Sequence, residues 1–415
     1  NSVAGNTVLG ESALDASVSG GNNTAIGKEA LTALTSGANN TAIGKDSLKA
    51  VTTGGTNVGI GVDALTTLST GSNNTAVGTG AMEDTTTASN NTALGQNALH
   101  ANTTGANNTA CGKEASTSNT SGHSNAAIGY QALYTNTTGH DNSALGRAAL
   151  YFNTTGANNV AVGHDALVAN TTGSTNVAVG ALALDANTTA SNNTAVGYVS
   201  LSGNTTGASN SALGTNSLQS NTTGANNTAC GKGALASNTT ASNNTAVGTD
   251  ALVSNTTGSN NTAIGYGAGD VLTTGTNNTC IGFASDPSSA TVNNEITLGD
   301  GSITSLRCAD TSISSLSDKR DKTDIVDLPV GLDFINSLLP RKFKWQTREG
   351  VPSKDGTVRA GFIAQELQEA QIGSEYLDLV MDSNPDKLEA KQGKLIPILV
   401  KAIQELSAKV TALEA

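Results

Sequence analysis

A glycine recurs every 17 residues from Gly10 to Gly299, 18 times without insertion or deletion. A globular domain with variable loops does not hold such a phase, whereas a solenoid must, because each coil stacks on the one before it. The residue before the glycine is apolar throughout, from Leu9 and Ile26 to Leu298. Asn stands four before it, from Asn6 to Asn278, Ala usually two before it, and Leu usually four after it, as at Leu31, Leu48 and Leu133. Asn-Thr-Thr-Gly or Thr-Ala-Ser-Asn fills the rest, which is turn chemistry.

Thr-Ala-Ile-Gly reads as a short strand with two faces, one carrying Thr and the large aliphatic, the other Asn, Ala and Gly. The small face is expected to admit a second backbone, and the Ala-Leu segment to form a second strand or a tight corner. The glycine permits the turn out of the strand. Coils about 4.8 Å apart would make a rod of roughly 85 Å, with the Asn column bonded into a ladder. One coil holds about two large apolar residues, and the 415-residue chain is only 3% aromatic. That is thin for a free-standing core, so the small face is expected to pack against identical chains. The Asn-x-Val/Thr-Ala-Ile/Val-Gly repeats of residues 1–299 resemble the head domains of trimeric autotransporter adhesins. That resemblance implies a parallel β-roll assembled as a homotrimer, although the repeat here is longer.

The period stops after Gly299. Residues 300–316 alternate loosely, as expected of a thin β junction. Composition then changes: residues 1–316 hold seven of the 21 basic residues, and 317–415 hold the other 14. Ser317-Asp318-Lys319-Arg320-Asp321-Lys322 is a dense charge cluster. Phe343 and Trp345 alternate as on a strand, and Gly361-Phe362-Ile363-Ala364-Gln365-Glu366 enters a helix. In 395–415, Ile396, Leu399, Ile403, Leu406, Val410 and Leu413 step by three and four, a heptad seam.

These motifs, with Leu316 before Ser317 and Leu395-Ile396-Pro397 opening the last helix, resemble the self-cleaving intramolecular chaperone domain that ends phage tailspikes, endosialidases and tail fibres. The resemblance covers 317–415. It implies a small α/β domain ending in a coiled-coil helix, which trimerises, aids folding of the preceding fibre and cuts itself off. The implied nucleophile is Ser317, the implied base Lys322, and the implied scissile bond Leu316–Ser317. The residues suit that chemistry. A serine hydroxyl needs a base, and a lysine serves once desolvation or nearby positive charge, such as Lys319 or Arg320, favours its neutral form. Asp318 and Arg320 are the supporting residues of the cluster.

The expected protein is thus a structural subunit of a trimeric phage tail fibre on the virion, with single-turnover autoproteolysis and no external substrate. Its expected partners are identical chains, other virion proteins and a host-surface receptor, a glycan or a surface protein. A bacterial surface adhesin head is the alternative. A glycan-cleaving tailspike is weaker, because Asp63, Glu83, Asp165 and Asp185 are scattered acids without a supporting cleft. A formal charge of −12 disfavours nucleic acid and anionic membrane surfaces. No apolar run approaches the length of a membrane span, and the start at Asn1 without a signal peptide is expected of a processed or excised chain. No cofactor or metal is expected: Cys111, Cys230, Cys280, Cys308 and the four histidines lack ligand spacing.

Overall fold

The computed structural model describes residues 5–303, 305–307, 317–344, 358–382 and 388–414. The chain divides into two compact units, Asn1–Ser285 with Asn293–Leu298, and Asp286–Val292 with Gly299–Ala415.

The first unit is a parallel β-solenoid. Each coil contributes one three-residue strand, from β1 (Thr7–Leu9) and β2 (Thr24–Ile26) to β17 (Thr279–Ile281) and β18 (Ile296–Leu298). Each pairs in parallel with the next, like on like: Thr24 with Thr41, Ala25 with Ala42, Ile26 with Ile43. The Ala-Leu segment is a corner rather than a second strand. Its leucines sit in the left-handed region, with φ of 54° at Leu31 and 54° at Leu133. That conformation costs about 1–2 kcal/mol, whereas burying a leucine contributes about 1.5–3 kcal/mol. Leu31 and Leu133 are fully buried, so burial wins.

The glycine column answers to two demands at once. Gly112 has φ +141°, and a Cβ there would stand 2.4 Å from the Gly129 carbonyl oxygen one coil on. Any side chain would both strain the backbone and push the coils apart.

Two buried asparagine columns tie the coils together. In the first, the Asn40 side-chain oxygen accepts from the backbone N–H of Asn57 at 3.0 Å, and Asn57 Nδ2 donates to the Gly71 carbonyl at 2.9 Å. The second falls in the Asn-Thr-Thr-Gly segment, where Asn136 Nδ2 donates to Asn119 Oδ1 at 2.8 Å and to the Gly139 carbonyl at 2.9 Å. Buried amides are stable only when so satisfied.

The two strand faces are the reverse of the sequence expectation. The central residue of every strand from β2 to β17 is buried, and it is the alanine in most coils. The small face is therefore the coil interior, and what packs against it is the same chain. A Cβ on Gly59 would meet Ser47 Oγ at 2.6 Å and Leu48 Cγ at 3.1 Å. The large aliphatics point outward: Leu94, Ile128, Leu145, Leu213 and Ile281 are 40–52% exposed. They form an apolar column along one side of the solenoid. Among the described residues of 300–307 no strand continues the solenoid, so the expected β junction is not seen there.

The second unit is a small α/β domain. It contains α1 (Leu332–Ser337), the antiparallel pair β19 (Arg341–Lys344) and β20 (Val358–Gly361), α2 (Ala364–Ala370), the short pair β21 (Val380–Met381) and β22 (Glu389–Ala390), and α3 (Leu395–Glu414). Phe343 lies on β19, as its alternation predicts, while Trp345 falls outside the described residues. The core gathers Leu338, Leu367, Leu377, Leu379, Leu395 and Ile398. Pro397 is tolerated in the first turn of α3, where the backbone lacks an intrahelical acceptor. Glu405 on α3 accepts from the Leu332 N–H at 2.8 Å, which ties α3 to the start of α1.

The faces of α3 differ sharply. Leu395, Ile398 and Ala402 are buried in the domain. The heptad residues Ile396, Leu399, Ile403, Leu406, Val410 and Leu413 are exposed, at 42–87%.

Candidate functional site

The Ser317–Lys322 segment folds into one tight turn. Asp318 precedes a 3₁₀ turn, Lys319–Asp321, and its carboxylate accepts from the Arg320 N–H at 2.9 Å, an N-cap. The Arg320 guanidinium donates to both Asp318 oxygens, at 3.1 Å from Nε and 2.6 Å from Nη2. This charge-assisted fork holds the Asp318 carboxyl below its ordinary range. Lys322 closes the turn through its N–H to the Lys319 carbonyl at 3.3 Å. Six residues containing a single turn bring the chain back on itself. Lys322 Nζ donates to Ser317 Oγ at 2.5 Å.

The structure therefore brings Ser317 and Lys322 together. Asp318 and Arg320 shape the turn between them, and Arg320 spends its charge on Asp318. Leu316, the other half of the expected scissile bond, lies outside the described residues, as do Cys308 and the side chain of Asp321. Ser317 and Lys322 are both exposed. Beside Lys322 lies an open apolar cleft of about 580 Å³, lined by residues 322–329 and Tyr376. Ile325 and Val326 on its wall are 60% and 84% exposed. Sequence reasoning passed over this cleft, because Asp324-Ile325-Val326-Asp327 carries no pattern beyond two aliphatics between acids.

No group of three or more His, Cys, Asp or Glu side chains among the described residues is placed to hold a metal ion. Asp63, Asp165 and Asp185 belong to separate coils, and burial raises the Asp185 carboxyl above its ordinary range. No helix among the described residues is long and apolar enough to cross a membrane.

Residues 317–376 match the family model described as chaperone of endosialidase. The match begins at the serine of the Ser317–Lys322 pair and runs through α1, β19, β20 and α2. No curated protein and no solved structure matches the chain. The chain is thus a β-solenoid followed by a segment similar to an endosialidase chaperone.

Proposed function

We propose that this chain is one strand of a homotrimeric fibre of the phage tail-fibre or tailspike type. Its C-terminal domain sets the register of three copies and then severs Leu316–Ser317. The observation that carries the reading is the 2.5 Å contact between Lys322 Nζ and Ser317 Oγ, at the first residue of the segment similar to endosialidase chaperones.

Ser317 Oγ adds to the Leu316 carbonyl carbon while Lys322 takes the hydroxyl proton. The peptide C–N bond breaks, and that proton passes to the departing Ser317 amine. Water hydrolyses the resulting ester, leaving a carboxylate on Leu316 and restoring the Ser317 hydroxyl. The nucleophile is tethered to its own substrate, so effective concentration comes from the covalent chain. Lysine becomes a base when it loses water and sheds its proton. In a single copy Lys322 is exposed, and in the proposed assembly a neighbouring copy covers it. Cleavage then waits for assembly.

Two unpartnered apolar surfaces support association with identical chains: the outward aliphatic column of the solenoid and the heptad seam of α3. Each repeats along its own axis, so a copy in register satisfies every step at once. A slip by one coil leaves the pairing almost unchanged, because the repeats are alike. A terminal domain that trimerises first removes this ambiguity. Its removal afterwards leaves a kinetically held product.

Denaturing mass spectrometry of the wild type beside Ser317→Ala and Lys322→Ala tests the reading. It predicts a wild-type fragment beginning at Ser317, absent from both variants. An intact wild-type chain, or a fragment that persists in the variants, would overturn the proposed cut.

A further inference from the structure

The regularity of the solenoid makes its departures informative. Residues 1–299 contain seven aromatic side chains, and four of them, Tyr130, Tyr134, Tyr151 and Phe152, fall within two adjoining coils. Tyr134 and Tyr151 stack with ring centroids 5.0 Å apart and planes inclined by 10°. Phe152 meets Tyr151 edge-on at 4.6 Å and 72°. Tyr130 and Phe152 are 45% and 50% exposed. Other coils hold Thr117, Val168 and Ala169 in the columns of Tyr134, Tyr151 and Phe152. The coil therefore does not need these rings for its own packing.

We propose that this cluster is a binding platform for a neutral sugar ring, a glycan subsite on the side of the shaft.

A pyranose presents a flat C–H face bordered by hydroxyls. It needs an aromatic plane with polar groups at its edge. Gln131, three residues before Tyr134 on the same coil, donates its Nε2 to Glu114 Oε2 on the preceding coil at 2.8 Å, which leaves an amide and a carboxylate on the coil that carries Tyr130 and Tyr134 and on the one before it. Burial, then the charges of Tyr134, Tyr130 and Glu114, push the Tyr151 phenol up. The charge selects a neutral sugar. Lys113 pairs with Glu114 at 3.4 Å and Arg147 with Asp165 at 3.1 Å, so both nearby cations are already compensated. A second copy of the chain is the less suitable occupant. Tyr134 and Tyr151 come six residues after Ile128 and Leu145 of the aliphatic column, on a different part of the coil.

The proposal goes beyond the cut at Leu316–Ser317 and stands without it, so the test uses the full chain with Ser317→Ala. The probe is native gel electrophoresis through dextran, glycogen, galactomannan or anionic polygalacturonate. The variant Tyr134→Thr/Tyr151→Val/Phe152→Ala installs residues that neighbouring coils already carry in the same columns, and an unchanged melting temperature confirms its fold. Phe152→Ala alone is the milder companion. Retardation by at least one neutral polysaccharide is expected, weakened at least tenfold in the triple variant and partly in Phe152→Ala. Migration unaffected by all three neutral polysaccharides, equal retardation of the triple variant, or retardation by polygalacturonate alone would overturn the platform.

Discussion

Single residues in the solenoid are fixed by what they face across the coil interior. Ser47 and Gly59 show this most clearly. In most other coils the two positions hold alanines, as at Ala30 and Ala42, both fully buried; Ser200 and Ser217 are exceptions, facing Ala212 and Ala229. Here the strand alanine becomes Gly59, and Ser47 donates its hydroxyl to the Gly59 carbonyl at 2.9 Å, in the space a methyl would need. Gly59→Ala alone is expected to lower stability by about 1–3 kcal/mol through overpacking. Adding Ser47→Ala restores the alanine pair and recovers most of that loss. Chemical denaturation of the two variants measures it, and equal stability of single and double variants would contradict the coupling. At this scale the sequence showed the columns but not their directions. Asn57 and its equivalents were readable as a ladder from spacing. Asn136 and its neighbours, in Asn-Thr-Thr-Gly, read as turn residues because nothing local shows that the amide points inward. The Ser317–Lys322 pair came from resemblance, and one 3₁₀ turn explains how a spacing of five becomes a contact.

At the scale of elements, the reversed strand faces carry the most consequence. A three-residue strand with a small centre reads as a small face awaiting a partner. The interior of a 17-residue coil already holds a leucine such as Leu133, and only an alanine fits opposite it. The larger residue is driven outside, where its burial needs another chain. Half-burying each such side chain contributes about 1 kcal/mol, small singly and large along the whole column. Cys111 and Cys230 occupy this column and carry free thiols, Cys111 exposed in the single chain. In the assembled fibre both are expected to resist maleimide under native conditions and to react fully after denaturation. Rapid native labelling of Cys111 would place the interface elsewhere. The helix α3 follows the same logic in another geometry: its seam was legible as a heptad, and the structure leaves it exposed because Leu395, Ile398 and Ala402 supply the face that the domain itself uses.

For the whole molecule, the features converge on assembly. The solenoid exposes an apolar column, the terminal domain exposes an apolar seam, and the Ser317–Lys322 pair stays open to water in one copy. In the proposed trimer, three chains in register cover the column and the seam and close over the pair. Native mass spectrometry of the full-length Ser317→Ala protein, which cannot cut itself by the proposed route, counts the chains directly. The account predicts a single species of three intact chains. A species of one chain at micromolar concentration would contradict it.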